Sequence, residues 1–168
     1  MSTDKSLQEI GNCALESIKE MVAALEADRE RLEELRGERD DWEPEEDGPE
    51  TWEEANEDDA EELAELVKAV TLDGEEVDED AARQRIAEDA LSVEVRSGWA
   101  SPGEDLEAEE YCILLTTGGP AVRIIGKLED GQPTDAILEV QDWGTPWTFA
   151  SSDDDLLTYA SQFCFEIS

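Results

Sequence analysis

Leu91-Ser92-Val93-Glu94-Val95-Arg96 is the point at which the hydrophobic period of this chain changes. Apolar Leu91, Val93 and Val95 alternate with Ser92, Glu94 and Arg96, the two-residue period of a strand with one buried face. Before it, apolar side chains recur every three or four positions, as on an amphipathic helix. After it come three more candidate strands. Residues 111–116 contain Cys112-Ile113-Leu114-Leu115, a run apolar enough to be buried on both faces. Gly118-Gly119-Pro120 marks a turn, and residues 122–128 form the next strand, broken by Asp130-Gly131 and Pro133. Residues 136–141 form the fourth, which runs into Asp142-Trp143-Gly144-Thr145-Pro146-Trp147. Short links between successive strands predict an antiparallel meander. Ser152 or Asp153 caps a last helix holding Leu156, Leu157 and Tyr159, and residues 163–167 are a further candidate strand.

Working back from Leu91, Asp78 caps a short helix ending near Glu88 that buries Ala82 and Ile86. Leu72-Asp73-Gly74 is a turn. Thr51 with Glu54 forms a capping-box pattern, which starts a helix reaching about Val70. Its apolar stripe is Ala55, Leu63, Leu66, Val67 and Val70. Pro44, Gly48 and Pro49 separate it from a long first helix over residues 6–40, with Leu7, Ile10, Ala14, Ile18, Met21, Leu25, Leu32 and Leu35 on one face. That face suits a core helix or a homodimer seam, and Asp28 at a seam position counts against a continuous coiled coil. The fold class is therefore α+β: N-terminal acidic helices, one long and two shorter, then an antiparallel meander of about four strands and a C-terminal helix. Residues 1–90 read as an acidic helical region and 91–168 as the sheet with its helix, packed together as one unit.

Charge sets the second constraint. The chain carries a net charge of −36 over 168 residues. Residues 40–66 hold 15 carboxylates and no Lys or Arg. Ionised carboxylates are too costly to bury without partners, so this stretch faces water, cations or a basic partner. Such a field repels nucleic acid and anionic membranes. No apolar run approaches 18 residues and no signal peptide is evident, so neither secretion nor membrane insertion is expected. Cys13, Cys112 and Cys164 are odd in number and widely spaced, which reads as free thiols in a reducing cytoplasm.

Little points to catalysis. The chain has no histidine, which removes Ser-His and Cys-His nucleophile pairs and the commonest zinc ligand. Gly118-Gly119-Pro120 lacks the lysine and following helix of a phosphate loop. The acidic runs over residues 73–80 and 153–155 lack the alternating oxygen ligands of an EF-hand. No enzyme activity, cofactor or metal is expected.

Four stretches carry a resemblance: Leu-Ser-Val-Glu-Val-Arg-Ser-Gly-Trp (91–99), Leu-Leu-Thr-Thr-Gly-Gly-Pro-Ala-Val-Arg-Ile (114–124), Gln-Asp-Trp-Gly-Thr-Pro-Trp (141–147) and Ala-Leu-Glu-Ser-Ile-Lys-Glu-Met-Val (14–22). They resemble a family of small, uncharacterised proteins of temperate phages and prophages of proteobacteria. The resemblance implies phage origin and the company of phage proteins that inhibit host defence stoichiometrically. In that company the acidic stretch reads as a DNA mimic, of anti-CRISPR or anti-restriction type, whose partner is a basic DNA-binding host protein or complex. Wholly helical, residues 40–66 would span roughly 40 Å, or about one charge per 2.7 Å, against one per about 1.7 Å of duplex DNA. The expected partner-binding residues are Glu53, Glu54, Glu57, Asp58, Asp59, Glu61, Glu62 and Glu65, with Trp143 and Trp147 as either a contact platform or a cap over the end of the sheet. Two other readings stay open: a binding module that uses the sheet and its Trp-rich turn, and an acidic surface adapted to salt.

Overall fold

A computed structural model describes residues 2–167. Its helices are α1 (Ser2–Glu26), α2 (Arg29–Asp41), α3 (Trp52–Ala55), α4 (Glu57–Ala69), α5 (Glu79–Asp89) and α6 (Asp154–Ala160). Its strands are β1 (Thr71–Leu72), β2 (Glu75–Glu76), β3 (Ser92–Arg96), β4 (Glu110–Thr116), β5 (Ala121–Glu129), β6 (Gln132–Pro133), β7 (Ile137–Gln141) and β8 (Thr148–Ser151). The class is α+β, as the change of period at Leu91 requires. The residues group into two compact units, one of Met1–Val22 with Arg83–Ser168 and the other of Ala23–Ala82.

In the first unit the strands pair antiparallel in the order β3-β4-β5-β7-β8, with β6 folded back on the end of β5. The expected meander is present and gains a fifth full member, β8, that the Trp-rich turn delivers beside β7. Residues 163–167, a candidate strand by sequence, make no strand; the chain is irregular there and Phe165 packs its ring 4.8 Å from Tyr111. Directly paired residues share a face. Val93, Ile113, Ile124 and Leu138 lie in one such row, and the last three are fully buried. The adjacent row pairs Val122 with Val140, both buried. Helix α1 crosses this face at Gly11, where an added Cβ would come within 2.7 Å of Ala150. Leu7, Ile18, Met21 and Val22 of α1 are buried within the chain, while Ile10, Ala14 and Leu25 of the expected stripe are half-buried. Lys19 of α1 reaches Asp153 at 3.0 Å, the residue whose side chain caps α6. Tyr159, fully buried in α6, donates its hydroxyl to Asp89 at 2.7 Å.

In the second unit the helices break where polar residues compete for the backbone. The expected first helix divides at Ala27-Asp28. The Asp28 carboxylate accepts the amide of Arg31 at 3.0 Å and so starts α2. Arg29 turns its guanidinium onto the carbonyls of Ala24 at 2.6 Å and Val77 at 3.0 Å, which satisfies an α1 carbonyl left open by the break. Thr51 caps α3 as its spacing predicts, accepting the amide of Glu54 at 3.2 Å. The expected second helix is then interrupted at Asn56, whose side-chain amide donates to the carbonyl of Trp52 at 3.1 Å. A small core of Leu32, Leu35, Trp52, Leu63 and Val70 joins α2, α3 and α4, with Trp42, Leu66 and Val67 against it. The tryptophans of the acidic stretch are thus its anchors.

Two stability measurements follow. Ile124→Ala, at a fully buried position, should cost about 2–5 kcal/mol in chemical denaturation, while Trp99→Ala, at a fully exposed one, should stay within about 0.5 kcal/mol. Asp153→Ala should cost about 1 kcal/mol through the lost α6 cap. The hydrogen bond from Lys19, aided by the Asp155 amide, holds the Asp153 carboxyl below its usual range. Its contribution is therefore present above the unfolded carboxylate pKa and lost as pH falls through the lower folded value. The gap between wild type and variant should close in acid.

Candidate interaction surfaces

The acidic surface belongs to the second unit, which carries 27 acids against five bases. Among the described residues of the whole chain, no polar or charged residue is buried. Helices α3 and α4 position the carboxylates expected to meet a partner. Glu53, Glu54, Glu57, Asp58, Glu61 and Glu65 are exposed, while Asp59 and Glu62 are half-buried. The cause of that split is Arg31. Its guanidinium holds Glu62 through two nitrogens, at 3.0 and 3.2 Å, and also meets Glu34 at 2.9 Å and Asp59 at 3.4 Å. Glu62 first, and then Glu34, raise the Arg31 pKa further above its usual value. Arg36 does similar work between Glu33, at 3.1 Å, and Glu76. The expected set therefore has two parts: on one face of α4 Asp59 and Glu62 are bonded to Arg31 of α2, and the other presents Glu57, Asp58, Glu61 and Glu65 to solvent, continued by Glu53 and Glu54 on α3.

The break expected at Pro44, Gly48 and Pro49 is present, with residues 42–51 non-helical, and Asn56 further divides the helix expected to reach Val70 into α3 and α4. Helix α4 alone spans about 20 Å at 1.5 Å per residue. Its six carboxylates give about one charge per 3.3 Å, near the 3.4 Å spacing of a single DNA strand.

The first unit contributes a different surface. Trp143 is 79% exposed, and its indole lies against Gly119, leaving no room for a Cβ there, where the φ of +86° also favours glycine. The turn beneath it is tightly bonded: the Asp142 carboxylate accepts the Trp143 amide at 2.8 Å, and the Thr145 hydroxyl donates to the Asp142 carbonyl at 2.9 Å while accepting its amide at 3.0 Å. Trp147 is half-buried beneath the guanidinium of Arg123, 4.0 Å from the ring centroid. Of this pair, Trp143 is exposed at the turn and Trp147 lies against Arg123 on the open face of the sheet.

That open face was not foreseen. Residues 91–168 contain three bases, Arg96, Arg123 and Lys127, and register places all three on it. Arg123 bonds Glu139 at 2.7 Å, and Arg96 bonds Glu110, each pair facing its partner across adjacent strands. Mutual hydrogen bonding keeps both members of the Arg96–Glu110 pair charged, lowering the Glu110 pKa and raising that of Arg96. Between the two pairs runs the row Glu94, Cys112, Ile125 and Ile137, which lines a shallow groove of about 490 Å³. Burial pushes the Cys112 thiol pKa up, which keeps it protonated and inert at neutral pH. The sequence signal was the placement of Arg96, Arg123 and Lys127 next to apolar strand positions, readable only once register was known.

Among the described residues no group of three or more metal-ligating side chains gathers, and no helix is long and apolar enough to cross a membrane. Together the two units define an α+β protein that bears a carboxylate-coated helical layer and a mixed-charge sheet face. Comparison with protein-family models, curated proteins and solved structures yields no match to this chain.

The Arg31 cluster makes a direct expectation. Arg31→Ala should lower the thermal midpoint at low salt by leaving Glu34, Asp59 and Glu62 mutually repulsive. The deficit should shrink as salt rises and screens them.

Proposed function

We propose that this chain is a phage-type acidic inhibitor that occupies the DNA-binding channel of a host defence complex, of anti-CRISPR or anti-restriction type, in the bacterial cytoplasm. Six exposed carboxylates, Glu53, Glu54, Glu57, Asp58, Glu61 and Glu65, fixed on two short helices by a small apolar core, carry this reading. Pre-organised charge needs no ordering on binding, and a long-range negative field steers the protein to basic channels. The partner is a basic protein and the action is occupancy without chemistry. The resemblance to temperate-phage proteins points the same way. Salt adaptation accounts less well for the charge, because it spreads acids evenly, whereas residues 40–66 concentrate 15 of them with no base.

A second reading has its own support. Trp143 stands exposed on a rigid turn, beside Arg123 stacked on Trp147, and aromatic and arginine side chains are favoured anchors at protein interfaces. In this reading the sheet holds the partner and the acids only solvate the protein.

One set of variants separates the two. Capture from a host lysate at low and moderate salt, with partners identified by mass, supplies the binding protein. The full chain should then displace labelled duplex DNA from it, with affinity falling at least about tenfold between roughly 0.05 and 0.2 M salt. The combined substitutions E53Q, E54Q, E57Q, D58N, E61Q and E65Q should abolish the displacement. Undiminished binding by that variant, with loss on Trp143→Ala, would sink mimicry and establish the sheet as the contact.

A further inference from the structure

Strand β3 is an edge of the sheet, paired with β4 on one side only. Its apolar side chains point to the same side as the buried row Ile113, Ile124 and Leu138, yet they are not covered. Val93 is 38% and Leu91 59% exposed, and Trp99 just beyond the strand is fully exposed. An apolar edge strand with an unpaired row of amides and carbonyls is a template for another strand.

The sequence around this edge identifies the strand that fits it. In a two-fold antiparallel pairing of residues 91–99 with a second copy, the choice of centre decides which charges meet. Centred on Glu94, the pairing would set Glu94 against the Glu94 of the other copy, a like-charge pair that opposes association. Centred on Val95, it sets Glu94 of each copy against Arg96 of the other, twice by symmetry. The same register places Val95 opposite Val95 and, carried outward, Leu91 opposite Trp99. Every exposed apolar residue of this edge except Val93 then gains an apolar neighbour, and Val93 meets Ser97. Arg96 is free to make the contact, since its side chain remains 78% exposed while it holds Glu110. Just past β3 the Glu109 amide donates to the Arg96 carbonyl at 2.9 Å and Gly98 lies against the Glu109 side chain; residues 97–99 themselves are irregular and would extend the pairing beyond β3.

We propose that this protein forms a symmetric dimer by antiparallel pairing of β3 with β3 of a second copy, centred on Val95. Leu7, Ile18 and Met21 of the α1 stripe are taken up in the chain's own core, whereas β3 offers an edge complementary to itself. Each copy carries a net charge of −36, so the two repel at long range and the pairing strengthens as salt shortens the screening length. This surface is distinct from the acidic helices, and its test does not depend on mimicry.

The test is the mass of the full-length protein by sedimentation equilibrium at about 0.05 and 0.5 M salt. A monomer–dimer equilibrium is expected, favouring dimer at the higher salt. Arg96→Glu should weaken it roughly tenfold, because both cross-copy pairs become repulsive, and Glu94→Arg should do the same. Mixed in equal amounts, the two variants should associate with each other as the wild type does, since each Arg then faces a Glu. Trp99→Ser, at a fully exposed position that cannot unfold the chain, should also weaken the dimer. A protein that stays monomeric at both salt concentrations would overturn the proposal and leave the edge to a foreign strand. A dimer untouched by Arg96→Glu and by Trp99→Ser would equally overturn it.

Discussion

Mutual repulsion among the carboxylates of residues 23–82 is the constraint on which the rest of the structure depends. With 27 acids and five bases, that unit cannot bring its helices together unless apolar contact and a few cations outweigh the field. Both devices are present. Leu32, Leu35, Trp52, Leu63 and Val70 give α2, α3 and α4 one shared core. Arg31 and Arg36 are placed where acids from two elements converge, Glu62 with Glu34 in one case and Glu76 with Glu33 in the other. Placed elsewhere, the same two cations would each have neutralised a single neighbour.

The consequence for function is an uneven charge surface. Where α4 faces α2 its acids are bonded to Arg31, and where it faces solvent they are left to act on whatever approaches. A partner would meet the side that faces solvent, where Glu57, Asp58, Glu61 and Glu65 give about one charge per 5 Å along α4. The breaks at Asn56 and over residues 42–51 divide the negative surface into segments of fixed and less regular geometry.

The sheet solves a different problem with few cations. Its three bases sit on the face away from the buried row, two of them paired across adjacent strands with Glu110 and Glu139. That pairing neutralises part of the face locally in a chain that is otherwise strongly negative. It also leaves β3 with one acid and one base a residue apart on either side of Val95, the pattern that makes the edge complementary to itself.

Periodicity, caps and turn residues are local properties, so the sequence alone determined the α+β class, the change at Leu91, the four central strands, the caps at Thr51 and Asp78, and the outward orientation of the acids. Its limits were equally physical. The Arg29 guanidinium at the Ala27-Asp28 break also reaches the carbonyl of Val77, 48 positions away, and the burial of Trp52 depends on α2 and α4 meeting. Strand β8 exists because the bonded turn at residues 142–145 returns the chain to β7. The first 22 residues join the sheet-bearing unit although their helical period runs on into the residues that follow. Which carboxylates stay free, and which bases share a face, are settled by contacts between residues tens of positions apart, and only the tertiary structure decides those.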